Sequence, residues 1–300
     1  MKKILALVLA LCMVFALCAC GSSSGDSDTP AASPVSLNVG TGGESGTYYG
    51  YTGILGTVIG QKTDVKLTVV ATGGSKDNLV SMQDGMYDLA TVQSDVMTYA
   101  YNGTNSFADS GKIDGFRVLC ALYPETVQIV TTDPEIKSVD DLKGKNVSIG
   151  AAGSGVYFNA MDVLGAYGLT EADINPTYQS FGDSADSLKN GQIDAAFIVA
   201  GAPTTAITDL ATTKDVYLVS LDDEHVDQLL ASSPYYTKVT IGKDVYGLDT
   251  DTITVAVSAV VLARDDVSED AIYKLVADIF DNAASLTDTL DGYIARHYNQ

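Results

Sequence analysis

The sequence predicts an α/β fold of two lobes that are joined by a hinge and enclose a central ligand cleft. Two stretches about a hundred residues apart, 37–49 and 147–158, share one plan: a short apolar strand breaks at glycines and a helix then begins. Strands alternate with helices along the chain, which is typical of folds with mostly parallel sheets. A long β-rich run at residues 252–263 is expected to return to the first lobe. Two crossings between the lobes would allow closure about a hinge.

The first twenty residues predict a lipoprotein signal peptide. Lys2 and Lys3 precede an apolar run at residues 4–17, which is too short to span a bilayer comfortably and fits the core of a signal peptide. The run ends in Leu17-Cys18-Ala19-Cys20-Gly21, which resembles the lipobox of bacterial lipoproteins. We therefore expect a lipid on Cys20 to anchor the exported protein at the outer face of the cell membrane. The alternative is an ordinary signal peptide cut near the same place.

Composition limits what the exported part can do. Residues 21–34 are rich in Ser, Gly, Asp and Pro, which predicts a flexible tether. The chain has 17 basic against 38 acidic residues, so it lacks the basic footprint that nucleic-acid binding requires. Only Cys120 lies beyond the signal peptide, which excludes an intramolecular disulfide in the folded part. Hydrophobic residues make up 46% of the chain, enough for a substantial core.

The predicted first lobe comprises residues 36–125 plus 246–300. Apolar runs and alternation predict strands, and capping residues or glycines mark helix ends; Ser75 is a plausible N-cap and Gly85 a plausible C′ residue. In chain order we expect a strand at 35–39, a helix at 48–59, a strand at 65–70, a helix at 76–84, a strand at 87–92, and a helix that begins near 93–95 and ends at Tyr101. After the second lobe come the strand 252–263 and an amphipathic helix at 268–282.

The predicted second lobe, residues 126–245, has the same alternation of strands and helices. Pro203 follows a strand directly and can begin a helix at its first position. We expect a strand at 127–131, a short capped helix at 138–144, a strand at 147–149, a helix at 156–167, a helix at 184–190 and a strand at 195–199. The segment 122–125 separates the two repeats and is a predicted crossing point; the other is expected near 242–247.

The glycine loops of the two repeats predict a ligand site. Amide groups at the start of a helix have no intrahelical partner and carry partial positive charge, so they attract an anion. Gly42 and Gly43 in one lobe, and Gly153 and Gly155 in the other, would let the backbone pass close to a ligand. Ligands of open α/β sheets lie beyond the carboxyl ends of the strands. The arrangement suits a small polar acid.

The same segments resemble the TAXI family of TRAP-transporter solute receptors. The resemblance covers nearly the whole mature chain and lies in residues 39–49, 72–79 and 85–95, in Gly150 and Gly153-Ser154-Gly155, and in residues 196–203. It implies a type II periplasmic-binding-protein fold and a receptor that delivers a small carboxylate, such as glutamate or 2-oxoglutarate, to a TRAP-type permease. We expect no cofactor and no metal-ligating residues, and the sequence leaves open whether a metal assists binding. The residues implied to line the cleft are Thr41, Gly42, Tyr48, Tyr49, Gln93 and Ser94 in the first lobe, and Ser154, Gly155, Val156, Gly201 and Pro203 in the second.

Catalytic motifs are missing from the sequence, so we do not expect an enzyme. The third glycine of a dinucleotide fingerprint would fall at Ser45, and Ser154 lacks the flanking glycines of a nucleophile elbow. The two histidines have no paired metal spacing, and His225 is interpreted as part of a solvated helix face. Three alternatives remain: a receptor for an ABC importer, a lipoprotein enzyme that acts on a small acid, and a ligand sensor that passes its signal to a partner.

Overall fold

The computed structural model describes residues 34–283 of the chain. The predicted signal peptide with Cys20, nearly all of the predicted tether and residues 284–300 lie outside this range. None of the helices within residues 34–283 is long and apolar enough to cross a membrane.

Ten strands and eight α-helices form the described part of the chain. The strands are β1 Val35–Gly40, β2 Val65–Val70, β3 Leu89–Gln93, β4 Phe116–Thr131, β5 Asn146–Ser148, β6 Asn175–Thr177, β7 Ala195–Ala200, β8 Tyr217–Leu218, β9 Thr237–Ile241 and β10 Thr252–Arg264. The helices are α1 Thr47–Lys62, α2 Ser75–Gln83, α3 Ser94–Asn102, α4 Val156–Ala166, α5 Phe181–Lys189, α6 Thr205–Ala211, α7 Asp223–Ser232 and α8 Glu269–Asp281.

The strands join in one sheet whose two halves have the same plan. The order is β2-β1-β3-β10-β4-β7-β5-β6, with β8 beside β4 and β9 beside β10. In the first half β1 pairs in parallel with β2 and β3, and in the second half β5 pairs in parallel with β6 and β7. Each half then ends in an antiparallel partner, β10 for β3 and β4 for β7. The internal repeat that the sequence shows therefore has a structural counterpart.

Two long antiparallel strands connect the halves. The first part of β4 pairs with β10, and its last six residues, Thr126–Thr131, pair with β7. The strand β10 pairs with β9 over Thr252–Ala256 and with β3 over Ala259–Ala263. Both strands thus belong to both halves. We propose the predicted lobes, 36–125 plus 246–300 and 126–245, as the parts that move about these strands.

Helices cover both faces of the sheet because consecutive strand residues point to opposite sides. In the first half, Ala90 and Val92 pack with residues of α2 and α3, whereas Leu89 packs on the other face with residues of α1 and α8. In the second half, residues of α4 and α7 form one core and residues of α5 and α6 form the other. Each half therefore has its own hydrophobic core on each face, which lets its loops keep a fixed geometry.

Several element predictions were wrong in detail. The strand expected at 127–131 begins eleven residues earlier, at Phe116. The short helix expected at 138–144 is a 3₁₀ turn, Val139–Leu142, although the predicted capping is present between Ser138 and Asp141. The helix after Pro203 begins at Thr205, so Pro203 is not its first residue. Pro203 lies instead in a cis peptide bond with Ala202, before the helix.

Candidate functional site

A cavity of about 60 Å³ lies between the loops of the two halves. It is bordered by the loops after β1 and β2, by Gln93 at the end of β3, by the loop after β5, by the middle of β4, by the start of α5 and by the end of β7. A buried water needs about 10–15 Å³ of such space, so the cavity has room for about four or five waters or for one small solute. A cavity therefore lies at the predicted cleft position, beyond the carboxyl ends of β1, β3, β5 and β7.

Four helices begin beside this cavity without a side-chain cap: α1, α2, α3 and α4. Helix α1 follows Gly46 and helix α4 follows Gly155, and neither of these N-cap positions has a side-chain hydrogen bond. Gly46, Thr47, Gly155 and Val156 all line the cavity. Unpaired amides at the start of a helix favour negative charge, so the two helices give the cavity two places where an anionic group of a ligand is stabilised.

A buried asparagine holds the first of these loops in place. Asn78 of α2 is fully buried, and its side-chain amide donates to the carbonyl oxygens of Thr41 and Thr91 at 2.6 and 2.8 Å. The adjacent Gly40 has no space for a side chain, because an added Cβ would lie 2.6 Å from the Tyr87 ring and 2.8 Å from Asn78 Oδ1. These contacts fix where β1 ends and where its loop turns toward the cavity.

The structure brings six of the eleven predicted site residues together at the cavity: Gly42, Tyr48, Gln93, Ser154, Gly155 and Val156. Three of them, Tyr48, Gln93 and Ser154, have buried polar atoms that lack a partner in the protein. Ser154 is 8% exposed and its hydroxyl makes no hydrogen bond, and Gln93 is 2% exposed and its Oε1 makes none. Such atoms are available to a ligand.

The other five predicted residues do not line the cavity. The Thr41 hydroxyl is fully buried and donates to the carbonyl of Val70 at 2.7 Å. The Ser94 hydroxyl accepts from the backbone amide of Ser258 at 3.2 Å. Tyr49 is half-buried on α1. Gly201 and Pro203 border a separate groove of about 630 Å³, which also contains Cys120.

Backbone contacts hold the two halves together around the cavity. The amides of Lys76 and Asp77 at the start of α2 donate to the carbonyl of Gly153 at 3.0 and 3.1 Å. The Thr47 hydroxyl donates to the carbonyl of Gly201 at 3.0 Å, and the Ala206 amide donates to the carbonyl of Ser45 at 3.2 Å. The amides that begin α2 are thus already paired, whereas those of α1 and α4 are available to a ligand.

A buried polar network, which we call the Asn159 network, also joins the halves. The side chain of Asn159 accepts from Gln93 Nε2 at 2.9 Å and donates to Asp95 Oδ2 at 3.1 Å and to the Tyr236 hydroxyl at 2.9 Å. That hydroxyl donates in turn to Asp162 at 2.8 Å. Burial raises the pKa of Asp95 to about 6, against the hydrogen bonds from the Val96 amide and Asn159 that favour its ionised form.

Glu125 of β4 is the main site residue that the sequence does not predict. It lines the cavity and is 2% exposed, and its Oε1 makes no hydrogen bond. Burial raises the pKa of the Glu125 carboxyl well above its ordinary value, the nearby hydroxyls of Tyr123 and Tyr48 lower it, and the charge of Asp95 raises it further. The signal in the sequence is a single carboxylate within an otherwise β-rich and largely apolar run.

No lysine, arginine or histidine of residues 34–283 lines the cavity. Lys76 lies over the ring of Phe107, and Arg264 pairs with Asp88 and Asp266. Over the same residues, no group of three or more His, Cys, Asp or Glu side chains could hold a metal ion. The cavity therefore offers helix amides, hydroxyls and an acidic side chain, and it contains no complete hydrolytic triad.

Known proteins resemble this chain in sequence pattern and in fold. The model of the NMT1-like family matches residues 39–293. The alkanesulfonate-binding protein SsuA from Xanthomonas axonopodis pv. citri, solved with MOPS, matches with a TM-score of 0.52 at 18% identity, over 89% of this chain and 76% of that one. An ancestral arginine-binding protein bound to arginine matches with a TM-score of 0.54 at 16% identity, over 88% and 97%.

A substrate-binding protein of an amino acid ABC transporter also matches, with a TM-score of 0.51 at 14% identity, over 88% of this chain and 100% of that one. At these identities the likeness shows the fold. The predicted two-lobed, type II periplasmic-binding-protein fold is confirmed.

Proposed function

The chain belongs to the NMT1-like family, and from this membership we propose that it is an extracytoplasmic solute-binding receptor that captures a small carboxylate and delivers it to a membrane permease. The observation that carries the proposal is the cavity between the two halves, into which the uncapped N-termini of α1 and α4 both face. Each N-terminus favours a negatively charged group, and the cavity volume of about 60 Å³ suits a solute the size of glutamate or 2-oxoglutarate or smaller.

The partner is a TRAP-type permease in this proposal, and an ABC importer is the second candidate. The motifs that resemble the TAXI family, such as Gly153-Ser154-Gly155, favour the first. The solved proteins of the same fold whose names state an ABC transporter favour the second. The neighbouring genes distinguish them, because a TRAP system has a multi-spanning permease without an ATPase and an ABC system has a permease with one. The predicted lipid on Cys20 would keep the receptor beside either permease.

The residues that line the cavity favour binding of a solute over its chemical conversion. The lining contains hydroxyls, amides and one glutamate, and no paired nucleophile and base. A receptor of this kind returns its solute unchanged. Incubation of the purified protein with small acids, followed by analysis for products, tests the rival enzyme; turnover of any of them would favour it over the receptor. A ligand sensor would share the binding site and differ in its partner.

A thermal-shift screen of amino, oxo and dicarboxylic acids tests the proposed ligand class. A solute at ~1,000 times its dissociation constant adds about 4 kcal/mol to the free energy of unfolding, so a true ligand raises the melting temperature by several degrees. The variant Ser154→Asp places a carboxylate among the amides at the start of α4 and should abolish the shift. The exposed Ser110→Asp is the matched control and should keep it. Flat melting curves for all of these acids would overturn the carboxylate class.

A further inference from the structure

Glu125 faces the cavity with no cationic side chain beside it. It is the one acidic side chain that lines the cavity among the described residues, and its Oε1 has no hydrogen-bond partner. A buried carboxyl is either kept neutral by a proton or paired with a positive charge. Since no cation of residues 34–283 lines the cavity, a positive charge that pairs with Glu125 would come from the ligand.

Two tyrosine hydroxyls lie beside the Glu125 carboxyl. The hydroxyls of Tyr48 and Tyr123 lie next to Glu125, close enough to affect its pKa, and neither makes a hydrogen bond of normal geometry inside the protein. Tyr48 is 9% exposed and lines the cavity, whereas Tyr123 borders the separate groove and reaches Glu125 through its buried hydroxyl. A carboxylate and two hydroxyl oxygens are acceptors, and an ammonium group has three N–H donors on one nitrogen. The three acceptors match that donor set in number and in charge.

The other walls of the cavity favour the opposite charge. The amides that begin α1 and α4 attract an anion, and the unpaired hydroxyl of Ser154 can donate to one. The two preferences lie in one cavity of about 60 Å³, so a single small molecule can satisfy both. A zwitterion, with a carboxylate and a protonated amine, satisfies both; an oxo acid satisfies only one.

We propose that Glu125, with Tyr48 and Tyr123, forms the subsite for a protonated amine, and that the solute is therefore a small amino acid and not the corresponding oxo acid. This inference rests on the proposed receptor function and names the ligand class within it. Glu125 is the specificity-determining residue, because it distinguishes an amine from a carbonyl oxygen at the same position. The carbonyl oxygen of an oxo acid at that position and the Glu125 carboxylate are both hydrogen-bond acceptors, so neither would have a donor.

Release of a proton on binding distinguishes an amine at Glu125 from a ligand carboxylate at the same place. The groups that face Glu125 are Tyr48 of α1, Tyr123 of β4 and the carboxyl of Asp95 at the start of α3. Its raised pKa means that the carboxyl holds a proton in the empty site up to a higher pH than usual. An arriving ammonium group pairs with the ionised carboxylate, so that proton leaves to solvent. A ligand carboxylate bound instead to neutral Glu125 would release none, and its affinity would fall as pH rises.

The test compares three sets of probes on the purified protein: the amino acids glutamate and alanine, the oxo acids 2-oxoglutarate and pyruvate, and 1,4-diaminobutane as an amine without a carboxylate. Each amino acid and its oxo acid differ only at the amine carbon. We expect an amino acid to bind at least tenfold more tightly than its oxo partner, with proton release in calorimetry across buffers of different ionisation enthalpy. Glu125→Gln should reduce that preference to about threefold or less.

Two further variants are a second change in the subsite and a control outside it. Tyr123→Phe removes one hydroxyl and keeps the ring, and should weaken amino acid binding about threefold to tenfold without affecting the oxo acids. Glu135→Gln changes an exposed glutamate outside the site and should change nothing. The proton release is measured on the unaltered protein, so it stands even if Glu125→Gln does not fold.

Each outcome decides one of the two claims. Equal binding of amino and oxo acids, or tighter binding of the oxo acids, overturns the amine subsite and leaves the carboxylate receptor intact. Binding of 1,4-diaminobutane without any of the acids overturns the carboxylate receptor and supports the amine subsite. Binding of none of the probes overturns both.

Discussion

At Gly155 the two halves of the protein are in tight contact. The Gly155 φ of −78° is open to any residue, but an added Cβ would lie 1.6 Å from Gln93 Oε1 and 2.9 Å from Val96 Cγ2. Gln93 is held in place by its bond to Asn159. We expect Gly155→Ala to push the halves apart at a cost of about 1–3 kcal/mol. Hydrogen exchange at the Lys76 and Asp77 amides, which bond to Gly153, should accelerate at least tenfold.

Gly165 provides the matched control for this substitution. It lies in α4 a few turns after Gly155, and a Cβ added there meets no atom within 4 Å. Gly165→Ala should therefore raise the free energy of unfolding by about 0.5–1 kcal/mol through its helix propensity, with unchanged exchange at Lys76 and Asp77. Equal exchange rates in the two variants would contradict the close contact.

The site glycines could be recognised from the sequence, whereas the charged residue of the site could not. Gly42 and Gly155 stand out because glycine after a strand has few other local explanations. Glu125 could not be recognised in the same way, because its partners Tyr48 and Asp95 are brought to it only by the fold. Thr41 shows the converse: its position in the loop suggested ligand contact, whereas its hydroxyl bonds to the neighbouring strand at Val70.

At the scale of elements, the N-terminus of α7 depends on one aspartate. The Asp222 side chain accepts from the His225 amide at 3.1 Å and from the Tyr167 hydroxyl at 2.9 Å, and the His225 ring stacks on Tyr167 with 3.6 Å between centroids. His225 is thus not simply part of a solvated face. Asp222→Ala should cost about 1 kcal/mol of unfolding free energy, as loss of an N-cap does, in urea titrations at pH 7. Gln228→Ala, on the exposed side of α7, should cost less than half of that.

The pH dependence of this cap has a definite sign. Burial tends to raise the pKa of Asp222, but the hydrogen bonds from His225 and Tyr167 outweigh it and lower the pKa to about 2. A carboxyl with a lowered folded-state pKa stabilises the fold above its ordinary value of 3.8 and loses that effect as pH falls through about 2. The difference in unfolding free energy between parent and Asp222→Ala should therefore shrink near pH 2. An unchanged difference there would show that the charge is not what caps α7.

Most elements inside the repeats were predicted, and so were β10 and α8 outside them, whereas β6, β9 and the start of β4 were missed. The strands β1 and β2 follow from apolar runs that end at glycines, and β3 from the apolar run after Gly85; local pattern suffices for them. Four of the five residues of β9 are exposed or half-buried, and the strand is defined by its pairing with β10, more than ten residues away. The start of β4 at Phe116 is likewise set by its register with Arg264 of β10. Long-range pairing of this kind leaves little trace in local periodicity.

At the scale of the whole molecule, the repeat predicted the two-lobed plan, because two strand-loop-helix units with the same spacing fold as similar halves. What it could not predict is how the halves contact each other. The Asn159 network joins Gln93 and Asp95 of the first half to Asn159, Asp162 and Tyr236 of the second. Its members are far apart in sequence, and each by itself is an ordinary polar residue. Only the closed arrangement buries them together.

The charge of Asp95 makes this closed arrangement sensitive to pH. Asp95 is 1% exposed, its Oδ1 has no partner, and its pKa is raised to about 6. A carboxyl with a raised folded-state pKa binds a proton between pH 4 and 6 that the unfolded chain has lost. The stability that this proton provides is fully present below about 3.8 and is lost as pH rises through about 6. The ionised, buried carboxylate then weakens the contact between the halves at neutral pH.

Asp95→Asn should remove that penalty, because the amide keeps an acceptor for Asn159 and carries no charge. A shift of about two pKa units corresponds to about 3 kcal/mol, so the variant should gain up to about 3 kcal/mol of unfolding free energy over the parent at pH 7, and little at pH 4. Urea titrations of both proteins across this range measure the difference, with Asp186→Asn on the exposed side of α5 as control. If the difference in unfolding free energy between the parent and Asp95→Asn is the same from pH 4 to pH 7, the ionised Asp95 does not destabilise the fold. The halves would then be held closed by the backbone contacts at Gly153 and Gly201, with no contribution from the protonation of the network.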